Sequence, residues 1–116
     1  MAFSYSQLTP ITTIASSAGA VYTNPATTTT YVRTVVIHNT NTTAETVTLH
    51  NVPDSTGSVG TAGVTNQFYK QEIAADSTVI LEFAVPGIML TDENDTIQAS
   101  TTTASKVTIQ VTGGTE

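Results

Sequence analysis

The stretch Lys106-Val107-Thr108-Ile109-Gln110-Val111-Thr112 alternates apolar and polar residues without a break. That is the two-residue period of a β-strand with one wet face, Val107, Ile109 and Val111 inward and the polar residues outward. The same grammar recurs upstream. Tyr31–Asn39 carries Val32, Val35, Val36 and Ile37 in close succession, and apolar residues on both faces predict a central strand or one whose outer face meets another protein. Glu45–Asn51 sets Val47 and Leu49 against Thr46, Thr48 and His50. Between them Asn39-Thr40-Asn41-Thr42-Thr43-Ala44 supplies turn residues, so the two segments are expected to form a hairpin.

Further strands are expected within Val64–Ile73, over Thr78–Phe83, over Ile88–Leu90 and over Thr96–Ala99. Pro86-Gly87, the acidic turn Thr91–Asp95 and the polar run Ser100–Ser105 separate them, with Thr96–Ala99 returning as the partner of Ile88–Leu90. Pro53–Gly63 is glycine-rich and predicts a flexible loop. Seven to nine short strands with no helical periodicity argue for an all-β, antiparallel β-sandwich, jelly-roll or immunoglobulin-like. Residues 1–30 differ in texture. Isolated hydrophobes among Ser, Thr and Ala, Pro10, a short strand at Ala20–Thr23 and a threonine run predict an extended N-terminal arm and first edge strand. Residues 31–116 would form the sandwich core, the whole being one domain.

Threonine makes up roughly a fifth of the chain, which strengthens the strand reading. Charged residues are only 10% and the net charge is −6, with Arg33, Lys70 and Lys106 the only cations. That balance disfavours nucleic acid and anionic membrane as partners. Cysteine is absent, so disulfides, thiolate metal sites and cysteine nucleophiles are excluded. The segment before Ala18-Gly19-Ala20 has neither a basic start nor an unbroken apolar run, so it is not expected to act as a secretory signal.

Few residues carry chemistry. Asp92, Glu93 and Asp95 gather the hard oxygen ligands that calcium prefers, but the spacing is not an EF-hand and a ligand from another loop or subunit would be needed. The bland reading is that Asp and Asn favour turns. His38 and His50 lie on separate arms of the expected hairpin and out of register, so neither is assigned a metal. The glycine loop lacks the Lys-Ser/Thr ending of a phosphate cradle. As a sugar-stacking platform, Tyr22, Tyr31, Phe68 and Tyr69 find little support in 6% aromatics and no tryptophan, and core packing or a subunit interface is the expected use. No catalytic residue, cofactor or metal is assigned, and an enzyme is not expected. Phe3, Tyr5, Leu8, Tyr31, Val36, Phe68 and Tyr69 are the candidates for subunit or partner contact.

Two stretches carry a resemblance. Tyr31-Val32-Arg33-Thr34-Val35-Val36-Ile37-His38-Asn39-Thr40-Asn41 with Glu45-Thr46-Val47-Thr48-Leu49, and Ile88–Ala99 with its Asp95-Thr96-Ile97 ending, followed by a valine-rich last strand, resemble small tailed-bacteriophage virion proteins. The likeness covers roughly residues 29–116. It implies a non-enzymatic virion component, a capsid decoration protein or a tail-associated β-sandwich, assembled in the host bacterial cytoplasm. The implied partners are the major capsid protein or other virion proteins and further copies of the chain, a trimer among the options. A tail, neck or fibre module, or a glycan-binding host-recognition domain, is the alternative.

Overall fold

The computed structural model describes residues 3–116 and is all β apart from one 3-10 turn at Val64–Asn66. Its strands are β1 (Ser4–Thr13), β2 (Gly19–Thr23), β3 (Thr30–Asn39), β4 (Glu45–Val52), β5 (Gln67–Ile73), β6 (Thr78–Glu82), β7 (Ile88–Leu90), β8 (Thr96–Thr101) and β9 (Val107–Thr115). Sheet A has the order β1-β9-β3-β6, with β7 also on β3, and sheet B the order β2-β8-β4-β5. All pairings are antiparallel. The two sheets face each other as the expected β-sandwich.

The order of strands decides the topology. β6 pairs with Thr34–His38 and β7 with Thr30–Val32, so they are two pieces of one edge strand interrupted at residues 83–87. Of the connections, only β4–β5 and β6–β7 stay within a sheet; the others cross from one sheet to the other. With β6 and β7 counted as one strand, this is the eight-stranded winding of a jelly roll. The immunoglobulin arrangement groups its strands differently.

The core follows from the two-residue period. In sheet A, Val79–Ile37–Ile109 and Leu81–Val35–Val111 form inward rows across three strands. From sheet B, Val47, Leu49, Ile97 and Ala99 meet them, all essentially buried. β3 is central, as its doubly apolar sequence predicted.

Three expectations are corrected here. Tyr31–Asn39 and Glu45–Asn51 do not form a hairpin: β3 lies in sheet A and β4 in sheet B, and residues 40–44 arch across the end of the core. Likewise β8 does not return beside β7 but pairs with β2 and β4. An extended N-terminal arm is not shown. Met1 and Ala2 lie outside the described residues, and Ser4–Thr13 is the edge strand of sheet A, paired along β9. Pro10 sits within a bulged part of that pairing, where its missing N–H costs no regular ladder bond.

Arches leave backbone groups stranded at the rim of the core, and buried polar side chains satisfy them. Asn39, fully buried, donates through Nδ2 to the carbonyls of Thr43 and Ile73 and accepts the Asn41 N–H. Glu45, only 2% exposed, accepts from Asn41 Nδ2, Thr101 Oγ1 and the Thr103 N–H. Burial pushes the Glu45 carboxyl up, but the bonds from Asn41, Thr103 and Thr101 outweigh it and hold the group below its ordinary value. At the opposite end, buried Asn24 donates to Thr28 and Asp92 carbonyls and accepts from Thr30 Oγ1.

Glu45→Gln should lower unfolding stability by about 1–3 kcal/mol, because its amide presents donors where three donors already converge. The lowered carboxyl contributes stability that is fully present above the unfolded-state value of about 4.3 and is lost as pH falls through the folded value. Denaturant titrations from pH 7 to pH 3 should show the wild-type chain losing stability faster than Glu45→Gln at the acid end.

Candidate functional site

The two outer faces of the sandwich differ in chemistry. Sheet B presents Thr46, Thr48, Ser100, Lys70 and Glu72 in cross-strand pairs, a wet face. Part of it is also roofed by the β4–β5 loop, which the sequence predicted to be flexible. That loop is tied down instead: Gln98 Nε2 donates to the Gly60 carbonyl at 3.1 Å, Asn94 Nδ2 to the Gly57 carbonyl, and the Asp54 N–H to Asp95 Oδ1. Under this roof lie His50, Gln98 and Thr96, all buried on what would be the solvent side of the sheet.

Sheet A's outer face is different at the end near the chain termini. Tyr5, Gly114, Tyr31 and Met89 stand in register across β1, β9, β3 and β7. The missing side chain at Gly114 is filled by the Phe3 ring, which a Cβ there would strike. Phe3 packs edge-on to Tyr5 at 5.1 Å and tilted to Tyr31 at 5.6 Å between ring centroids, the offset geometries that aromatic pairs favour. Arg33, at the register shift between β3 and β9, donates through Nη1 to the Tyr5 hydroxyl and through Nε to the Phe83 carbonyl. Tyr31 donates its hydroxyl to Glu116 at 2.7 Å, and this bond, followed by burial and the carboxylate's charge, holds the phenol above its ordinary value. Val85 and Pro86, from the break between β6 and β7, complete an open pocket of about 150 Å³ with Phe3, Tyr31 and Arg33. The turn is drawn in at Gly87, whose φ of +88° and close approach to the Val32 carbonyl leave no room for a side chain.

Tyr5, Val85 and Met89 are 64%, 76% and 45% exposed, so the cluster is a surface patch and not an outlying piece of core. Ile80 and half-buried Val36 extend it along the same face. Large apolar groups gathered on one face are the feature that marks interaction surfaces in soluble domains.

The contact candidates read from the sequence divide accordingly. Phe3, Tyr5 and Tyr31 come together in the patch, and Val36 lies on the same face further along β3. Leu8 packs against the core, as do Phe68 and Tyr69, the former edge-on to Phe83 at 6.1 Å between centroids. Tyr22 faces inward, bonded to Thr30. The four aromatics weighed as a stacking platform are thus dispersed. Arg33, Val85, Pro86 and Met89 were not among the candidates.

In the acidic turn, Asp54, Asp92 and Asp95 bring carboxylate oxygens within 4.8 Å of one another, while Glu93 is exposed and outside that group. Asp54 is the contribution from another loop that calcium would have required. Buried Asp95 already accepts the N–H groups of Thr91, Asp92 and Asp54. Those bonds explain its position as a lock between the β7–β8 arch and the β4–β5 loop. The histidines are on different sheets. His38 is bound by Thr78 and lies 3.3 Å from Asp76, whereas His50 Nδ1 is buried without a partner. No family model, curated protein or solved structure matches the chain.

Burial lowers the His50 pKa, so the folded protein favours the neutral ring. Stability should therefore decline as pH falls below the unfolded-state value of about 6.5, until the folded value is passed. Thermal unfolding compared between pH 7.5 and 5.5 should show a smaller loss for His50→Leu than for the wild-type chain.

Proposed function

We propose that this chain is a non-enzymatic structural protein of a tailed-phage virion, a head decoration protein that docks the outer face of sheet A on the capsid lattice. The observation that carries the docking face is the contrast between the two outer surfaces. One holds exposed Tyr5 and Met89 with half-buried Tyr31 on a four-strand row, and exposed Val85 beside it; the other is hydroxyl-rich and partly roofed. The virion assignment itself rests on the sequence resemblance. The scarcity of charge supports it: a face depleted of Lys, Glu and Asp is less costly to desolvate against another protein. The partners are the major capsid protein and neighbouring copies of the chain, with the virion as the place of action.

The same patch argues for rigid docking. Its residues lie on paired strands and on a turn pinned by the Phe83 N–H to the Arg33 carbonyl, so little is lost in ordering them on contact.

Quantitative mass spectrometry of purified particles from the encoding phage should find hundreds of copies per particle. A dozen or fewer would place the protein at the neck or tail tip, and its absence from particles would overturn the virion reading. Val85→Glu and Met89→Glu should each cut particle occupancy by about tenfold or more, as expected for central contact residues. Thr48→Glu on sheet B should leave occupancy unchanged. Full occupancy in both sheet A variants would reject that face as the docking surface.

A further inference from the structure

The pocket beside Arg33 has a composition that specifies more than stickiness. Its walls are two aromatic rings, Val85 and Pro86, and its single charge is a guanidinium. Arg33 has no carboxylate within 4 Å among the described residues, in a chain with nine acidic residues and three basic ones. Of the acids at this corner, Glu116 is engaged with the Tyr31 hydroxyl, and Glu82, which pairs across from Thr34, does not come within 4 Å of the guanidinium. Of the guanidinium's five donors, two are used within the chain, one on Tyr5 and one, at 3.4 Å, on the Phe83 carbonyl. A lone arginine against aromatic faces is a common centre of protein contacts, because its planar fork pairs with a carboxylate while its flat surface stacks on rings.

Resting on the docking role proposed above for this face, we propose that the pocket takes a segment of a different protein in which an apolar side chain stands next to an aspartate or glutamate. The apolar group would fill the space between Phe3, Tyr31, Val85 and Pro86. At about 150 Å³ this matches the size of an apolar cavity known to accept a benzene ring. The carboxylate would complete the Arg33 fork.

The sequence of this chain argues against a second copy as the source. Where its acids adjoin large hydrophobes, those hydrophobes are inside: Ile73 beside Glu72, Leu81 beside Glu82, Val47 two residues from Glu45. The exception is Ile80 with Glu82, both exposed, but they lie on the same face as the pocket. Bringing two such faces together would also oppose two chains of net charge −6.

The test is an NMR titration of the isotopically labelled full chain with two acetylated, amidated dipeptides, Leu-Glu and Leu-Gln. Saturable shifts are expected at Phe3, Tyr31, Arg33 and Gly87. The Leu-Glu peptide should bind about three- to fivefold tighter, the scale of one exposed charge pair. That preference should shrink in high salt and disappear in Arg33→Gln. Val85→Glu, at a site exposed enough to spare folding, should abolish binding of both. Equal affinity for the two peptides, shifts elsewhere on the surface, or no saturable shift would overturn the proposal. Self-association of the chain alone, seen by sedimentation and removed by Val85→Glu, would name a second copy as the occupant and overturn it too. Loss of particle occupancy in Val85→Glu and Met89→Glu, with equal affinity for both peptides, would leave the docking role standing and reject only this chemistry.

Discussion

Everything in this structure depends on how the chain turns across the ends of the core. A sandwich whose connections mostly change sheets must carry backbone N–H and C=O groups over an apolar edge, where no ladder partner waits. Four buried polar side chains answer that need: Asn39 and Glu45 at one end, Asn24 and Asp95 at the other. Each joins segments far apart in sequence. Glu45 ties the β3–β4 arch to the β8–β9 arch, Asn39 ties it to the end of β5, Asn24 ties the β2–β3 arch to Asp92, and Asp95 holds the β4–β5 loop. The hydrophobic core supplies most of the driving force, but it is indifferent to which strand neighbours which. The locks are specific to this winding, since a donor left unmet at such a site costs more than a made bond gains.

This explains what could be read from the residues and what could not. The strands were legible because alternation has one structural meaning: β9, β6 and the centrality of β3 all follow from apolar spacing. Pairing was not legible. A polar segment such as residues 40–44 serves equally as a hairpin loop and as an arch between sheets, and nothing in Asn39-Thr40-Asn41 distinguishes the two. The decisive bond, from Asn39 to the Ile73 carbonyl, spans residues that no local pattern connects. For the same reason Ser4–Thr13 read as an arm. Its side chains are mostly exposed, so the apolar signal is faint, while the strand is held by its backbone to β9.

The candidate site was half legible. Phe3, Tyr5 and Tyr31 were recognisable as aromatics with no evident place in the core. Phe68 and Tyr69 looked the same in sequence, yet β5, an edge strand of sheet B, packs them against the core. Val85 and Pro86 carry the signature of a turn and nothing more, and they reach the site only because the edge strand breaks between β6 and β7. Arg33 did give a signal: a charged residue in the middle of the most apolar strand. Its meaning needed the register shift at Val32/Thr34, which lets an outward guanidinium and the turn at residues 83–87 occupy the same corner.

The locks and the patch are connected through β3. Its inward residues form the centre of sheet A, its last residue Asn39 is the lock at one end, and its first residues Thr30 and Tyr31 bind Asn24 and Glu116 at the other. Tyr31 thus belongs to a strand fixed at both ends and flanked on both sides. Phe3 gains its position from the absent side chain of Gly114 on the neighbouring strand. A surface assembled in this way presents its rings without needing a partner to arrange them. Bulged pairing occurs in both sheets, but at the Arg33 corner a register shift of β3 meets the break between β6 and β7. That meeting leaves the Arg33 guanidinium without a carboxylate within 4 Å among the described residues, beside a hollow lined by the Phe3 and Tyr31 rings.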